Sequence, residues 1–207
     1  MYRKTCLFLF ILIFYGCPKE DFSDNCISYS FNTNGLHFYP ESDSIKVGDT
    51  LWVTYVEPLN PIPIGEKDTV DIRGIDFYNY LYFLQFPYDT IDGNFKVINK
   101  FDITTTIGRD YINHGFSHYK YFSGISYDGS YVAKIALVPI KKGDFIIGSD
   151  IGILNIDSII KNGKCYKYHF ITPIANDDKH INRFKAKYGD IGINERYLNN
   201  IYCFTVY

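Results

Sequence analysis

His114 and His118 stand four positions apart, the spacing at which two imidazoles on one helix face can share a metal ion. Gly115 lies between them, no helical period of apolar residues surrounds them, and neither a Glu nor a third His completes a catalytic zinc set. They read as surface or loop histidines. Asp89-Thr90-Ile91-Asp92-Gly93-Asn94 has the acidic look of a calcium loop, yet it lacks oxygen donors at alternate positions and the closing Glu. A turn is the better reading. Asn176-Asp177-Asp178 could hold an ion, but Asx residues ahead of a helix are ordinary caps. No Gly-x-Ser-x-Gly elbow, phosphate loop or Cys-His motif is present. The sequence therefore assigns no catalytic residue, no metal ligand and no cofactor. Paired carboxylates for glycoside hydrolysis meet only in space, which keeps a secreted hydrolase as a lesser alternative.

Tyr78, Tyr80 and Tyr82 form a stripe at strand spacing, and such rings can stack on sugars. At that spacing the commoner role is packing, because aromatics suit half-buried pleated surfaces. The totals of 20 Tyr and 17 Phe add little. Ile, Asn and Lys are also abundant, and all five types have AT-rich codons, so base composition alone can produce this balance.

These residues must be carried by strands. Ile27-Ser28-Tyr29-Ser30-Phe31-Asn32 alternates apolar and polar, and Asn34-Gly35 followed by Leu36-His37-Phe38-Tyr39 predicts a hairpin. Residues 45–56 read as a strand, a Gly48-Asp49 kink and a second strand, with Leu51, Val53 and Tyr55 on one face and Trp52, Thr54 and Val56 on the other. The prolines of residues 57–70 mark a loop or an edge. Residues 77–86 are apolar on both faces, which fits a central strand covered on both sides or a buried helix. Phe95, Val97, Phe101 and Ile103 alternate with charged residues and predict one strand. Asp128-Gly129 predicts a type I′ hairpin within residues 119–138. Lys141-Lys142-Gly143-Asp144 turns into Phe145-Ile146-Ile147, and Asn162-Gly163 joins residues 151–160 to 165–171. Asp178 could cap a short helix over residues 179–188, with Ile181, Phe184 and Tyr188 on one face and Gly189 as its stop; the alternative is an ordered loop. A final strand covers residues 201–207. Turns about every ten residues predict an all-β fold, an antiparallel β-sandwich with long loops for which an immunoglobulin-like form is one option.

The N-terminus differs in kind. Arg3 and Lys4 precede nine apolar residues, Leu7 to Tyr15. That is far below the ~20 needed to span a bilayer and matches an export signal. The run closes on Phe14-Tyr15-Gly16-Cys17, followed at once by Lys19-Glu20-Asp21. The first pattern resembles the lipobox of bacterial lipoproteins. The second resembles the export signal of Bacteroidetes surface lipoproteins, a Lys and two acids behind the lipidated Cys. The resemblance covers about twenty residues; the remainder resembles no characterised family. It implies a signal peptide over residues 1–16, acylation of Cys17, a tether over residues 17–26 and a β-sandwich domain over residues 27–207. It also implies an outer-membrane location facing outside, with the lipid bilayer as a partner through Cys17. Stable anchoring takes at least two acyl chains, the number such a Cys carries.

Loss of residues 1–16 removes two cations and no acid, leaving the chain two charges more acidic than its formal −2. No electrostatic footprint for nucleic acid exists. Three cysteines remain for an oxidising compartment. Cys165 and Cys203 sit in strand-like runs and are the expected pair, with Cys26 left over beside the tether; in the alternative all three stay reduced. The function expected from these features is a non-enzymatic surface lipoprotein, a module for binding, adhesion or envelope support, acting on an extracellular glycan or an envelope protein. A glycan-binding accessory of an outer-membrane uptake system is the alternative. A transmembrane barrel ranks last, because a lipid at Cys17 makes it redundant as an anchor.

Overall fold

In Leu51–Pro58 every odd-numbered side chain is buried and the even-numbered ones are exposed or half-buried, the burial pattern that the alternating sequence predicts. This strand is one of fourteen in the computed structural model, which describes residues 26–75, 79–87, 94–111, 119–149, 159–171, 173–176, 179–189 and 195–207. In chain order they are β1 Ile27–Asn32, β2 Leu36–Tyr39, β3 Ser44–Ile45, β4 Leu51–Pro58, β5 Asn79–Phe86, β6 Phe101–Ile107, β7 Arg109–Tyr111, β8 Tyr119–Ser123, β9 Ile125–Tyr127, β10 Ser130–Pro139, β11 Gly143–Ser149, β12 Ile159–Lys161, β13 Lys164–Ile171 and β14 Ile201–Val206. One α-helix, α1, spans Lys179–Tyr188, and 3-10 helices cover Asn94–Lys100 and Glu195–Asn200.

The fold is all-β and sandwich-like. A five-stranded sheet runs β2-β4-β10-β6, with β9 also on β10; a six-stranded sheet runs β3-β14-β11-β5-β8-β7; a small third sheet runs β1-β13-β12. Most pairings are antiparallel, but β1–β13 and β3–β14 are parallel. The core fills the space between the two large sheets. Phe101 of β6 lies 5.3 Å from Phe83, 4.9 Å from Phe145 and 6.2 Å from Phe204, all in the opposite sheet. Phe38 stacks on Tyr202 across the same gap at 4.4 Å. Offset and edge-on ring pairs of this kind add to the area they bury.

The six-stranded sheet is covered on its second face too. Helix α1 sets Ile181 and Phe184 against Phe86, Ile146, Ile201 and Cys203. This resolves the segment that is apolar on both faces: β5 is a central strand, with Leu81 and Phe83 facing the sandwich and Leu84 and Phe86 facing the helix layer. The helix ends as the sequence predicts, with the Gly189 N–H closing on the Lys185 carbonyl at 2.8 Å and Gly189 at φ 72°. At the sandwich edge the chain passes from β6 to β7 through Gly108 (φ 120°), where a Cβ would lie 2.4 Å from the Ser123 carbonyl oxygen. Only glycine fits this crossing.

Two local expectations are corrected. The segments flanking Asn34-Gly35 form no hairpin: β1 pairs with β13 and β2 pairs with β4. The backbone instead continues beside Ile171 and residues 173–175, with the Thr33 N–H bonded to the Ile171 carbonyl and the Leu36 N–H to the Pro173 carbonyl. The expected strand from Phe95 begins only at Phe101, after the 3-10 helix. The consecutive residues Val97 and Ile98 both pack on the core, which a strand with side chains on alternating faces cannot achieve. The Asp128-Gly129 and Asn162-Gly163 hairpins are as expected, with Asp128 at φ 47° and Asn162 at φ 52°. Of residues 151–160, positions 151–158 lie outside the described residues.

Candidate functional site

Cys17, Lys19, Glu20, Asp21, His114 and His118 lie outside the described residues, as do Asp89 to Gly93, Asp177 and Asp178. Asn176 is described, and its amide is spent on the backbone. It accepts the Phe38 N–H at 2.7 Å and donates to the Phe38 carbonyl at 2.8 Å. The side chain thus stands in for a strand neighbour and closes the free edge of β2, a common need at sheet edges.

The cysteine pairing differs from expectation. Cys26 is bonded to Cys165 across 139 positions, with Cα atoms 4.5 Å apart, and Cys203 is a free, buried thiol. Cys165 and Cys203 both lie in strands, but in different sheets. Cys203 faces the helix layer among Ile146, Ile201 and Phe184, and that burial pushes its pKa up to about 12. Parallel pairing of β1 with β13 matches Ile27 to Tyr166, which brings the preceding residues, Cys26 and Cys165, side by side.

Three polar clusters have the residue types of active sites and serve as ties. Buried Asp144 accepts hydrogen bonds from Lys187 Nζ (2.7 Å), Thr205 Oγ1 and Tyr188 Oη. Burial works to raise its pKa, and the Lys187, Thr205 and Tyr188 donors together outweigh it, so the carboxyl stays below its ordinary range. One turn back along α1 from Lys187, Arg183 pairs with Asp43, and the Arg183 hydrogen bond leads the effects that lower the Asp43 pKa. Ser42 and His180 lie near this pair, giving the Ser, His and Asp types of a hydrolase. The Ser42 hydroxyl donates to the Ser44 carbonyl at 2.7 Å. Tyr202 Oη donates to the Ser42 carbonyl at 2.8 Å and accepts the Ser42 N–H at 3.1 Å. These bonds shape the loop before β3 and point the hydroxyl into its own turn. In the third cluster, Asp110 accepts from Thr105 Oγ1 and pairs with Lys120 at 2.8 Å, lacing β6 to β7 and β8 across the sandwich edge.

Two groups of aromatic side chains reach the outer sheet faces among the described residues. On the outer face of the six-stranded sheet, beyond the cover of α1, Tyr80 lies 5.2 Å from Tyr119 and 5.4 Å from Tyr121, at 86° and 34°. Tyr82 lies on the same face and packs over Gly148, where a Cβ would meet its ring at 2.1 Å. Of the predicted stripe, Tyr80 and Tyr82 are half-buried and Tyr78 falls outside the described residues. Tyr119 and Tyr121 could not be assigned to this group from sequence, because only the β5–β8 register brings them there. The second group is on the outer face of the five-stranded sheet. There Tyr39, 69% exposed, is the cross-strand neighbour of Trp52, and Lys134 Nζ sits 4.2 Å from the Trp52 ring centre.

No protein-family model matches the chain, and no curated protein matches it. Among solved structures, the chain is similar to the human F-spondin reeler domain (fragment 1) at 10% identity and a TM-score of 0.37, covering 88% of this chain and 95% of that one. It is similar to the Reelin-N domain of F-spondin at 12% identity and a TM-score of 0.31, covering 72% and 89%. Likeness at this level bears on neither activity nor partners.

Proposed function

We propose that this chain is a lipid-anchored outer-membrane protein facing outside, whose folded part is a non-enzymatic module for binding, adhesion or envelope support. The observation that carries the reading is the order of signals at the N-terminus: Arg3-Lys4, a short apolar run, Gly16-Cys17, then Lys19-Glu20-Asp21. The Cys26–Cys165 bond supports it, since such bonds persist in oxidising compartments. The polar clusters support the non-enzymatic part, because their carboxylates and hydroxyls hold α1, the loop before β3 and the sandwich edge. Mass spectrometry of the protein purified from its host membrane tests the anchor. The expected product begins at an acylated Cys17; an unmodified thiol with residues 1–16 attached overturns the reading. Protease added to intact cells tests the orientation, with cleavage expected.

A glycan ligand is the second reading, supported by the neighbouring Tyr39 and Trp52 rings on an outer sheet face. A glycan array probed with the wild-type chain and with Trp52→Ala tests it. Binding by the wild type that the variant loses is expected, and no binding by either removes the reading.

A further inference from the structure

On the outer face of the five-stranded sheet, cross-strand pairing sets Tyr39 beside Trp52, Trp52 beside Ala136 and Ala136 beside Thr104. Directly paired residues point to the same side of a sheet, so the four stand in one row across β2, β4, β10 and β6. At ordinary strand spacing the row is about 14 Å long. Tyr39 and Thr104 are exposed and Trp52 is half-buried. Ala136 carries only a methyl group and leaves a shallow saddle beside the indole. Lys134, two positions before Ala136 on β10, is on the same face, and its ammonium lies over the Trp52 ring. Among the described residues no carboxylate pairs with that ammonium. Asp102, an acid of the same face, pairs with Val138, four positions along β10 from Lys134, about 13 Å.

Resting on the glycan reading of Tyr39 and Trp52, we infer that this row binds an acidic glycan, a chain of sugar rings that carry carboxylates. The ammonium over the indole decides the charge of the ligand. A neutral sugar stacks on that side of Trp52 only by pushing the ammonium off the ring, which forfeits a cation–π contact. A uronate sugar makes the same displacement and replaces the lost contact with an ion pair between its carboxylate and Lys134. The ring is then open to the apolar C–H face of the sugar, as the exposed Tyr39 ring is already. At the far end of the row Thr104 offers a hydroxyl that can donate or accept. A hydroxyl and a cation interrupt the apolar surface here, which suits a sugar chain better than the apolar core of a protein interface. One exposed ion pair sets the selectivity, so the preference is modest and fades in salt.

Binding of the full chain, purified in detergent, is measured against oligomers of galacturonate, glucuronate and mannuronate, each beside its methyl ester, and against neutral glycans and polyglutamate. The esters keep the rings and remove the charge; polyglutamate keeps carboxylates and has no sugar rings. At least one uronate oligomer is expected to bind at least about twofold more tightly than its ester, with the difference erased by high salt. Polyglutamate is expected not to bind. Lys134→Met is expected to abolish the preference and leave the ester bound as well as before or better, while Lys134→Arg keeps the preference. Trp52→Ala is expected to lose acid and ester alike. Neutral glycans or esters that bind as tightly as the acids overturn the acidic ligand and leave the glycan reading standing. A preference that survives Lys134→Met overturns the site, and polyglutamate binding as tight as the uronates overturns the sugar in favour of charge alone. No binding to any glycan removes the glycan reading, and the acidic ligand with it.

Discussion

Cys203 behaves as a small hydrophobe. It is fully buried beneath α1, and the pKa of about 12 leaves almost no thiolate near neutral pH. In the folded protein it is expected to resist thiol-reactive dyes and to react after denaturation, which a dye titration with and without guanidinium checks. Phe184→Ala opens its cover and is expected to make the thiol reactive in the native state. Carboxylates divide by environment. Burial acts to raise the pKa of Asp110 and Asp144, and their hydrogen-bond donors bring both below the ordinary 3.8. Their stabilising effect is complete above that value and is lost as pH falls through the lower folded value. Glu57 has the opposite sign. Burial raises its pKa above 4.5 against the single Asn34 N–H bond at 2.9 Å. The folded state therefore holds the Glu57 proton more tightly, and its relative stability falls as pH rises through the raised value. Glu57→Gln keeps an acceptor for Asn34 and removes the charge. Its melting temperature relative to wild type is expected to climb between about pH 4 and about pH 8, as thermal melts across that range would read.

At the scale of elements, the disulfide governs β1. This strand leads the described chain, and its parallel ladder to β13 is reinforced where it begins by Cys26–Cys165. Closing so long a loop contributes about 2–5 kcal/mol, largely by restricting the unfolded chain. Cys26→Ser with Cys165→Ser is expected to lower stability by about that amount in denaturant melts. Hydrogen exchange is expected to rise first at the amides of Ile27–Asn32. The Asp128-Gly129 and Asn162-Gly163 turns and β4 were legible because each is local, whereas α1 was one of two options for its stretch and the Asn34-Gly35 hairpin did not form. Asp128-Gly129 needs only its own positive φ, while the one-faced Ile181, Phe184 and Tyr188 fit a helix or an ordered loop until packing on Phe86, Ile146 and Cys203 decides for the helix. The 3-10 helix before β6 was not legible, because apolar residues two apart suit a strand until the core demands that Val97 and Ile98 turn the same way.

For the whole molecule, Phe101 is the keystone between the two large sheets. Its ring touches Phe83, Phe145 and Phe204, drawn from three strands of the opposite sheet. Phe101→Ala is expected to cost about 3–5 kcal/mol, since a rigid ring lattice cannot collapse into the cavity; equilibrium unfolding of the variant measures it. By itself the sequence determined the all-β class and most strand positions, because alternation and turn residues are encoded by neighbours in the chain. Only the tertiary structure decided that Cys165 joins Cys26 and not Cys203, that β1 and β2 part into separate sheets, and that Tyr119 and Tyr121 meet Tyr80. Those outcomes depend on which strands become neighbours across 40 to 140 positions. That choice is made by packing apolar faces together, and no short stretch of residues records it.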